Sequence, residues 1–312
     1  MNGKIRKITL IIIGIVSALL IGANFNVLKA EEEFERFIKP ITNPVYFDEP
    51  CNRTYVHILH VYQNLPSHVN TTLGDVPLDG RLTLTAIRLS YAVNERFSIV
   101  AAKDGYIDFD PDHTLSDENG WADIAGGVKY AFLRNPQKEF ILSGKVLFEF
   151  TQGSRDVFQG NGDGNVSPSL TFLKGYKNFQ FCGILGGIIP FDDDEESTLI
   201  YDSWHVSHGL LNYKLFPLLE LNHFRVVRDG ESDELVASIA EFEGGDVINL
   251  GARHASSHRD FVSMGVGFRY RPFCPGQLFS SLDLGFAYEF PLTTRENGLM
   301  KNRFTFDLIY YF

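Results

Sequence analysis

The final ten residues, Arg303-Phe-Thr-Phe-Asp-Leu-Ile-Tyr-Tyr-Phe312, constrain this chain more than any other stretch. Successive side chains of a strand point to opposite faces. Phe304, Phe306, Leu308, Tyr310 and Phe312 therefore share one face, and Arg303, Thr305, Asp307, Ile309 and Tyr311 share the other. An aromatic face backed by a largely polar one suits a strand with lipid outside and water inside. A soluble protein seldom ends on so exposed an aromatic row. Its rival is a β-sandwich that buries the aromatic faces against each other.

The alternation recurs upstream. In 139–151, Phe140, Leu142, Val146, Phe148 and Phe150 oppose Ser143, Lys145, Glu149 and Thr151. In 261–270 and 278–290, apolar faces again oppose Gly, Ser and charged residues. Such period-2 segments, about 10 residues long, cross a bilayer when tilted. Twelve are predicted: 53–63, 81–93, 97–109, 121–133, 139–151, 166–174, 178–190, 201–212, 216–228, 260–271, 278–290 and 302–312. With 27 Phe, 13 Tyr and 28 Gly, the composition favours aromatic-rich strands and tight turns over helices.

The intervals between these segments alternate long and short, as in bacterial barrels with long outer loops and short periplasmic turns. Counting 244–252 as a further strand would break that parity, so it is read as an excursion within the fifth long loop. Charge follows the same division. Taken together the long intervals are strongly acidic, whereas the short turns and their flanks, with Arg96, Arg134, Lys138, Lys174, Lys177, Lys214 and Arg271, are net basic. The fold expected is all-β: a single transmembrane, up-and-down antiparallel β-barrel over 53–312.

The first 30 residues read as a secretory signal: basic Lys4, Arg6 and Lys7, an apolar run from Ile8 to Gly22, then Ala30 before Glu31-Glu32-Glu33. An uncleaved anchor is the alternative. Residues 31–52 are then a periplasmic N-terminal extension, either a tail or a segment that partly plugs the barrel. The net charge of -11 argues against a nucleic-acid partner. No Cys pair has zinc spacing, and no metal or cofactor is implied. Cys51 and Cys274 both fall at the periplasmic end and could be bonded after export; three unpaired thiols are the alternative, and Cys182 is expected free.

The predicted inward faces carry Arg88, Lys129, Lys145, Arg269 and Arg303 against Glu149, Glu220, Asp283, Glu289 and Asp307. Charges inside a barrel must be paired or wetted. These residues either fill the lumen with ion pairs or line a narrow polar pore, and the pore reading is preferred. Three acidic stretches, Asp104–Glu118, Gly160–Asn165 and Asp192–Glu196, either bind divalent cations or are solvated loops; none has EF-hand spacing, and the loop reading is preferred.

Three resemblances add to this. The terminal strand resembles that of bacterial outer-membrane proteins, in which a terminal aromatic and another two positions earlier are read by the barrel-assembly machinery; Tyr310 and Phe312 match. The segment Trp121-Ala-Asp-Ile-Ala-Gly-Gly-Val-Lys-Tyr130 resembles a strand of transporter-type barrels grouped with meta-pathway phenol-degradation proteins, departing at Trp121-Ala122 where Gly-x-Gly is expected. That family implies uptake of small, often hydrophobic molecules. His205-Val-Ser207-His208-Gly209 resembles the His-x-Ser-Asn pattern of outer-membrane phospholipases and lipid A deacylases, with His208 in place of Asn. A strand puts His205 and Ser207 on one face, where imidazole can act as base toward a hydroxyl, but Trp204, Val206 and Leu210 make the apolar face and turn the pair inward.

The reading is therefore a non-enzymatic outer-membrane channel or transporter for a small-molecule or ion permeant, surrounded by outer-membrane lipid and lipopolysaccharide. The alternatives are a lipid hydrolase using His205 and Ser207, and a structural or adhesive surface barrel.

Overall fold

A computed structural model describes residues 34–71, 74–160, 162–193, 196–228, 260–272, 282–293 and 298–312. Twelve antiparallel strands close into a barrel. They are β1 (Tyr55–Asn64), β4 (Arg81–Asn94), β5 (Phe97–Lys103), β8 (Ile124–Asn135), β9 (Phe140–Phe150), β10 (Asn165–Tyr176), β11 (Phe179–Pro190), β12 (Thr198–His208), β13 (Leu215–Arg228), β14 (Asp260–Tyr270), β15 (Leu282–Pro291) and β16 (Asn302–Tyr311). Four short strands, β2 (His68–Thr71), β3 (Gly74–Pro77), β6 (Tyr106–Asp110) and β7 (Glu118–Trp121), belong to the connections. Closure comes from β1, which pairs with β16 from Tyr55↔Tyr311 to Asn64↔Asn302 and with β4 from Tyr55↔Ser90 to Asn64↔Arg81.

The alternation expected from the sequence appears as alternating burial. In β16, Arg303, Thr305, Asp307 and Ile309 point inward, while Phe304, Phe306, Leu308 and Tyr310 point outward. The outward rings pack across strands: Phe286 on Phe306 and Tyr288 on Phe304, each with centroids 5.0 Å apart. A surface this apolar would aggregate in water and is satisfied in lipid. The short connections share one end with Phe312, whose N–H donates to Thr54 O at 3.0 Å. Short turns mark the periplasmic end of bacterial barrels, and the fold is that of a bacterial outer-membrane barrel.

Because the Phe312 ring is exposed beside Tyr310, with centroids 5.0 Å apart, its loss disturbs little of the packed interior. Deleting Phe312 should nevertheless lower the yield of heat-modifiable barrel several-fold. A yield equal to the intact chain's would show that the terminal ring is no assembly signal.

Two predicted strands are interrupted. The segment 97–109 splits at Asp104-Gly105: β5 pairs with β4 at Leu89↔Ala101, and β6 resumes one residue out of step at Thr85↔Tyr106. Gly105 sits at φ 125°, and the Asp104 carboxylate accepts the Ile87 N–H at 3.1 Å where the ladder lapses. This is a bulge, which leaves the hydrophobic period intact on either side and so hides from pattern reading. Segment 201–212 ends early at His208, because Leu211, Asn212 and Tyr213 are all left-handed, with φ of 51°, 55° and 61°, and form the turn. The segments 244–252 and 273–281, with Cys274, lie outside the described residues.

Residues 34–53 do not hang below the barrel; they run inside it. Phe34, Phe37, Ile38, Ile41, Val45, Tyr46, Phe47 and Cys51 are all buried. The segment ascends, turns at 43–47 with Phe47 N–H donating to Asn43 O at 2.9 Å, and descends into β1. Its two limbs are tied by an ion pair between Lys39 and Asp48 and by Arg53, which pairs with Glu49 and donates to Phe37 O at 3.2 Å. An apolar segment preceding a barrel reaches a dry environment only by entering it, and the wall is shaped to receive this one. A Cβ at Gly265 would lie 2.5 Å from Thr42 Cγ2, and one at Gly285 would lie 3.0 Å from Ile41 Cδ1.

Candidate functional site: the barrel interior

The interior has two tiers. The periplasmic tier is charged and clamps the plug. All ten residues expected on inward faces are buried there or just above it. Arg269 on β14 grips Asp307 on β16 through two bonds, 2.9 and 2.8 Å long, and its Nε donates to Lys39 O at 3.1 Å. His57 Nε2 lies 3.0 Å from the same Asp307 carboxylate. Asp283 pairs with Arg271 at 2.7 Å, and Arg271 also donates to Glu35 O at 2.8 Å. Lys129 reaches Asp48 at 3.2 Å and Glu49 O at 2.9 Å, and Lys145 donates to Tyr46 O at 3.1 Å. Arg88 is buried with no partner for its Nε among the described residues. Higher up, Glu149 pairs with Lys103 at 2.6 Å. Glu289 accepts from Asn222 at 2.9 Å and lies 3.7 Å from Arg303, which donates to Gln63 Oε1 at 3.1 Å.

Within the plug, burial alone would raise the Asp48 carboxyl. The ammonium groups of Lys129, Lys39 and Lys145 outweigh that and hold it well below the usual carboxylate range.

The upper tier is apolar, which differs from the polar lumen expected. Leu59, Val61, Leu84, Ile184, Tyr201 and Phe224 point inward around Tyr46 and Phe47 at the plug tip. Loop residues Leu65, Leu78, Phe158, Leu299 and Met300 belong to the same cluster and cover it. Once loops above and a plug below exclude water, inward positions are free to be apolar, and the alternation ceases to mark inside from outside.

His205 and Ser207 both face inward. His205 Nε2 lies 3.0 Å from Ser207 Oγ, and Nδ1 lies 2.7 Å from Glu220 Oε1. Glu220, expected only as a lining residue, thus supplies the third member of a hydroxyl–imidazole–carboxylate chain. The same carboxylate accepts the Ile41 N–H at 3.0 Å, the Thr42 N–H at 2.7 Å and the Thr42 hydroxyl. The neighbouring Gln180 brackets Ile38, accepting its N–H at 2.8 Å and donating to its carbonyl at 2.7 Å. In this arrangement the chain serves as a receptor for the plug backbone.

Cys51 is buried in the plug beside Phe34, Phe37 and Leu173, and Cys182 is a buried free thiol on β11. Among the described residues, no group of three or more His, Cys, Asp or Glu is placed to hold a metal ion. His57 was legible as an inward position of β1. Lys103 was hidden by the register shift just before it, between Ala101 and Lys103, and Lys39, Asp48, Glu49 and Arg53 lie in a segment without period.

No protein-family model and no curated protein sequence matches this chain. Among solved structures, an outer-membrane channel from Pseudomonas putida F1 superposes with a TM-score of 0.59 at 13% identity, over 88% of this chain and 100% of that one. The NanC porin superposes with a TM-score of 0.50 at 8% identity, over 82% of this chain and 99% of that one. At such identities the likeness is one of fold, and the fold shared is the closed outer-membrane β-barrel.

Proposed function

We propose that this chain is an outer-membrane channel or transporter for small molecules, closed in this state by its own N-terminal segment. One observation carries the reading: the plug is held by side chains on facing walls, through contacts that water could replace. The superposable channel and porin support it, as does the likeness of 121–130 to uptake barrels. Under this reading Glu220, Lys129, Lys145 and Arg269 act as clamps, and the lower tier becomes a hydrated polar passage when they let go.

In planar bilayers the intact chain should carry small, cation-preferring currents, since acidic outer loops concentrate cations at the mouth. The preference should fade at 1 M salt, where the Debye length is about 3 Å. Acid should not open the barrel readily. Asp48 has a depressed pKa in the closed state, so its contribution is fully present above the ordinary carboxylate value of about 3.9 and is lost only as pH falls through the depressed one. Lys39, Lys129, Lys145, Glu49 and Tyr55 are the ionisable groups around it. Currents that rise already between pH 6 and pH 5, on the order of a unit or more above that value, would count against Asp48 as a clamp.

The distances along Ser207, His205 and Glu220 favour a second reading, a hydrolase. Lipid hydrolysis by purified barrel, lost in Ser207→Ala, would put that reading first. A chain that carries no current even without its plug would be a structural barrel.

A further inference from the structure

The β10–β11 seam of the wall is irregular. Strands β10 and β11 pair at Asn165↔Pro190 and Val166↔Ile189, and pairing resumes at Ser169↔Gly186. Ser167 and Pro168 are not paired with Ile188 and Gly187 between them. Pro168 has no N–H to donate, and proline in a sheet is normally confined to an edge, which a closed barrel lacks. A lapse in a lipid-facing wall is costly, because nothing in the hydrocarbon replaces the missing bonds.

Both faces of the seam are thin. Outside, Pro168 lies opposite Gly187, which has no side chain, among the exposed Leu170, Leu185 and Ile189. Inside, the Tyr201 ring lies on Gly186, where a Cβ would be 2.4 Å from its hydroxyl and 2.9 Å from Pro168 O. Tyr201 and Ser169 are buried neighbours on the inner wall, and their hydroxyls face each other with no other hydrogen-bond partner among the described residues. Behind Tyr201 stand Tyr46 at 4.9 Å and Phe224 at 5.8 Å between ring centroids, at the heart of the apolar upper tier.

We propose that the β10–β11 seam at Pro168 is a lateral portal, with Tyr201 as its shutter, through which a small apolar molecule bearing one hydrogen-bonding group passes between the upper lumen and the outer leaflet. The proposal rests on the transport reading and adds the route. The adjoining Tyr201 and Ser169 hydroxyls at the inner face offer a polar group its partners, and the apolar tier accepts the rest of the molecule. An axial exit would instead require the cargo to cross the charged lower tier.

The test locks the seam. Ser167 and Ile188 are buried inward residues opposite one another across the lapse, a placement that suits a disulfide in the Ser167→Cys, Ile188→Cys double variant. The probe is N-phenylnaphthylamine, an apolar amine that fluoresces on entering a bilayer. Cells producing the full chain should take it up several-fold faster than cells without it. In the double variant, oxidation should return uptake to background and reduction should restore it, with ionic current in planar bilayers unchanged throughout. Pro168→Val, which restores a ladder N–H, should slow uptake with no disulfide involved. Dye entry that ignores both the lock and Pro168→Val, or current without dye entry, overturns the portal and leaves the channel standing. Absence of both dye entry and current overturns the portal and the transport reading together.

Discussion

Glu220→Ala in the full-length chain should raise the time-averaged current by about a hundredfold, and deletion of residues 34–50 should yield a continuously open barrel. Glu220 accepts two backbone N–H groups and one hydroxyl from Ile41 and Thr42, all buried. Hydrogen bonds to a charged group contribute about 1.5–3 kcal/mol each, so losing two removes at least about 3 kcal/mol from the closed state. At about 1.4 kcal/mol per factor of ten, that is roughly two orders of magnitude in the closed-to-open ratio. Ser207→Ala leaves the carboxylate in place and should change the current little, which separates clamp from nucleophile. Both altered chains must remain heat-modifiable for the comparison to count. A folded deletion variant that stays closed would mean that the loops and the apolar tier seal the barrel unaided.

The architecture was legible because a membrane strand must show lipid on one face, and that demand writes a period of two into the sequence. It reaches Phe304 to Phe312 without interruption. It fails where no such demand acts. Residues 34–53 touch no lipid and form no ladder; their path is set by Gln180, Glu220 and Lys129, partners between about 80 and 180 residues away. The inward charged residues could be named from alternation, but their pairing could not, since pairing depends on register. Glu220 shows how narrow that gap was. A turn at 213–215 places His223 opposite His205, whereas the turn at 211–214, closed by the Leu210–Leu215 bridge, gives the observed His205↔Glu220 pair. His223 instead faces outward, bridging Asp202 at 2.9 Å and Asp260 at 3.0 Å. A shift of the turn by one or two residues thus exchanges one candidate partner for another, and three consecutive left-handed residues without a glycine gave no signal of where it lay.

Asp307→Ala should destabilise the folded barrel more than any other single interior change, by about 3–5 kcal/mol, the usual cost of stripping a buried charge of its partner. Arg269 is fully buried, held by two bonds to Asp307, and cannot shed its proton to escape. His57 would lose its carboxylate in the same step. Replacing both charges, Arg269→Met with Asp307→Leu, should recover most of the loss, because two apolar groups of similar size need no partners; the Lys39 carbonyl that Arg269 also holds keeps recovery short of complete. Gly285→Ala offers an independent route to the same effect, since its Cβ would fall 2.0 Å from Asp307 Oδ1 and push the carboxylate off Arg269 with both charges still present. Denaturant titration of the folded barrel in detergent reads all three. The size of the Asp307→Ala effect also measures how dry the lower tier is. A loss near 1 kcal/mol or less would match an ion pair in water, of the order seen for exposed pairs, and would mean that solvent already reaches Arg269 past the plug. A loss of several kcal/mol, largely recovered in the double variant, would mean that the plug excludes water and must move before anything polar can pass.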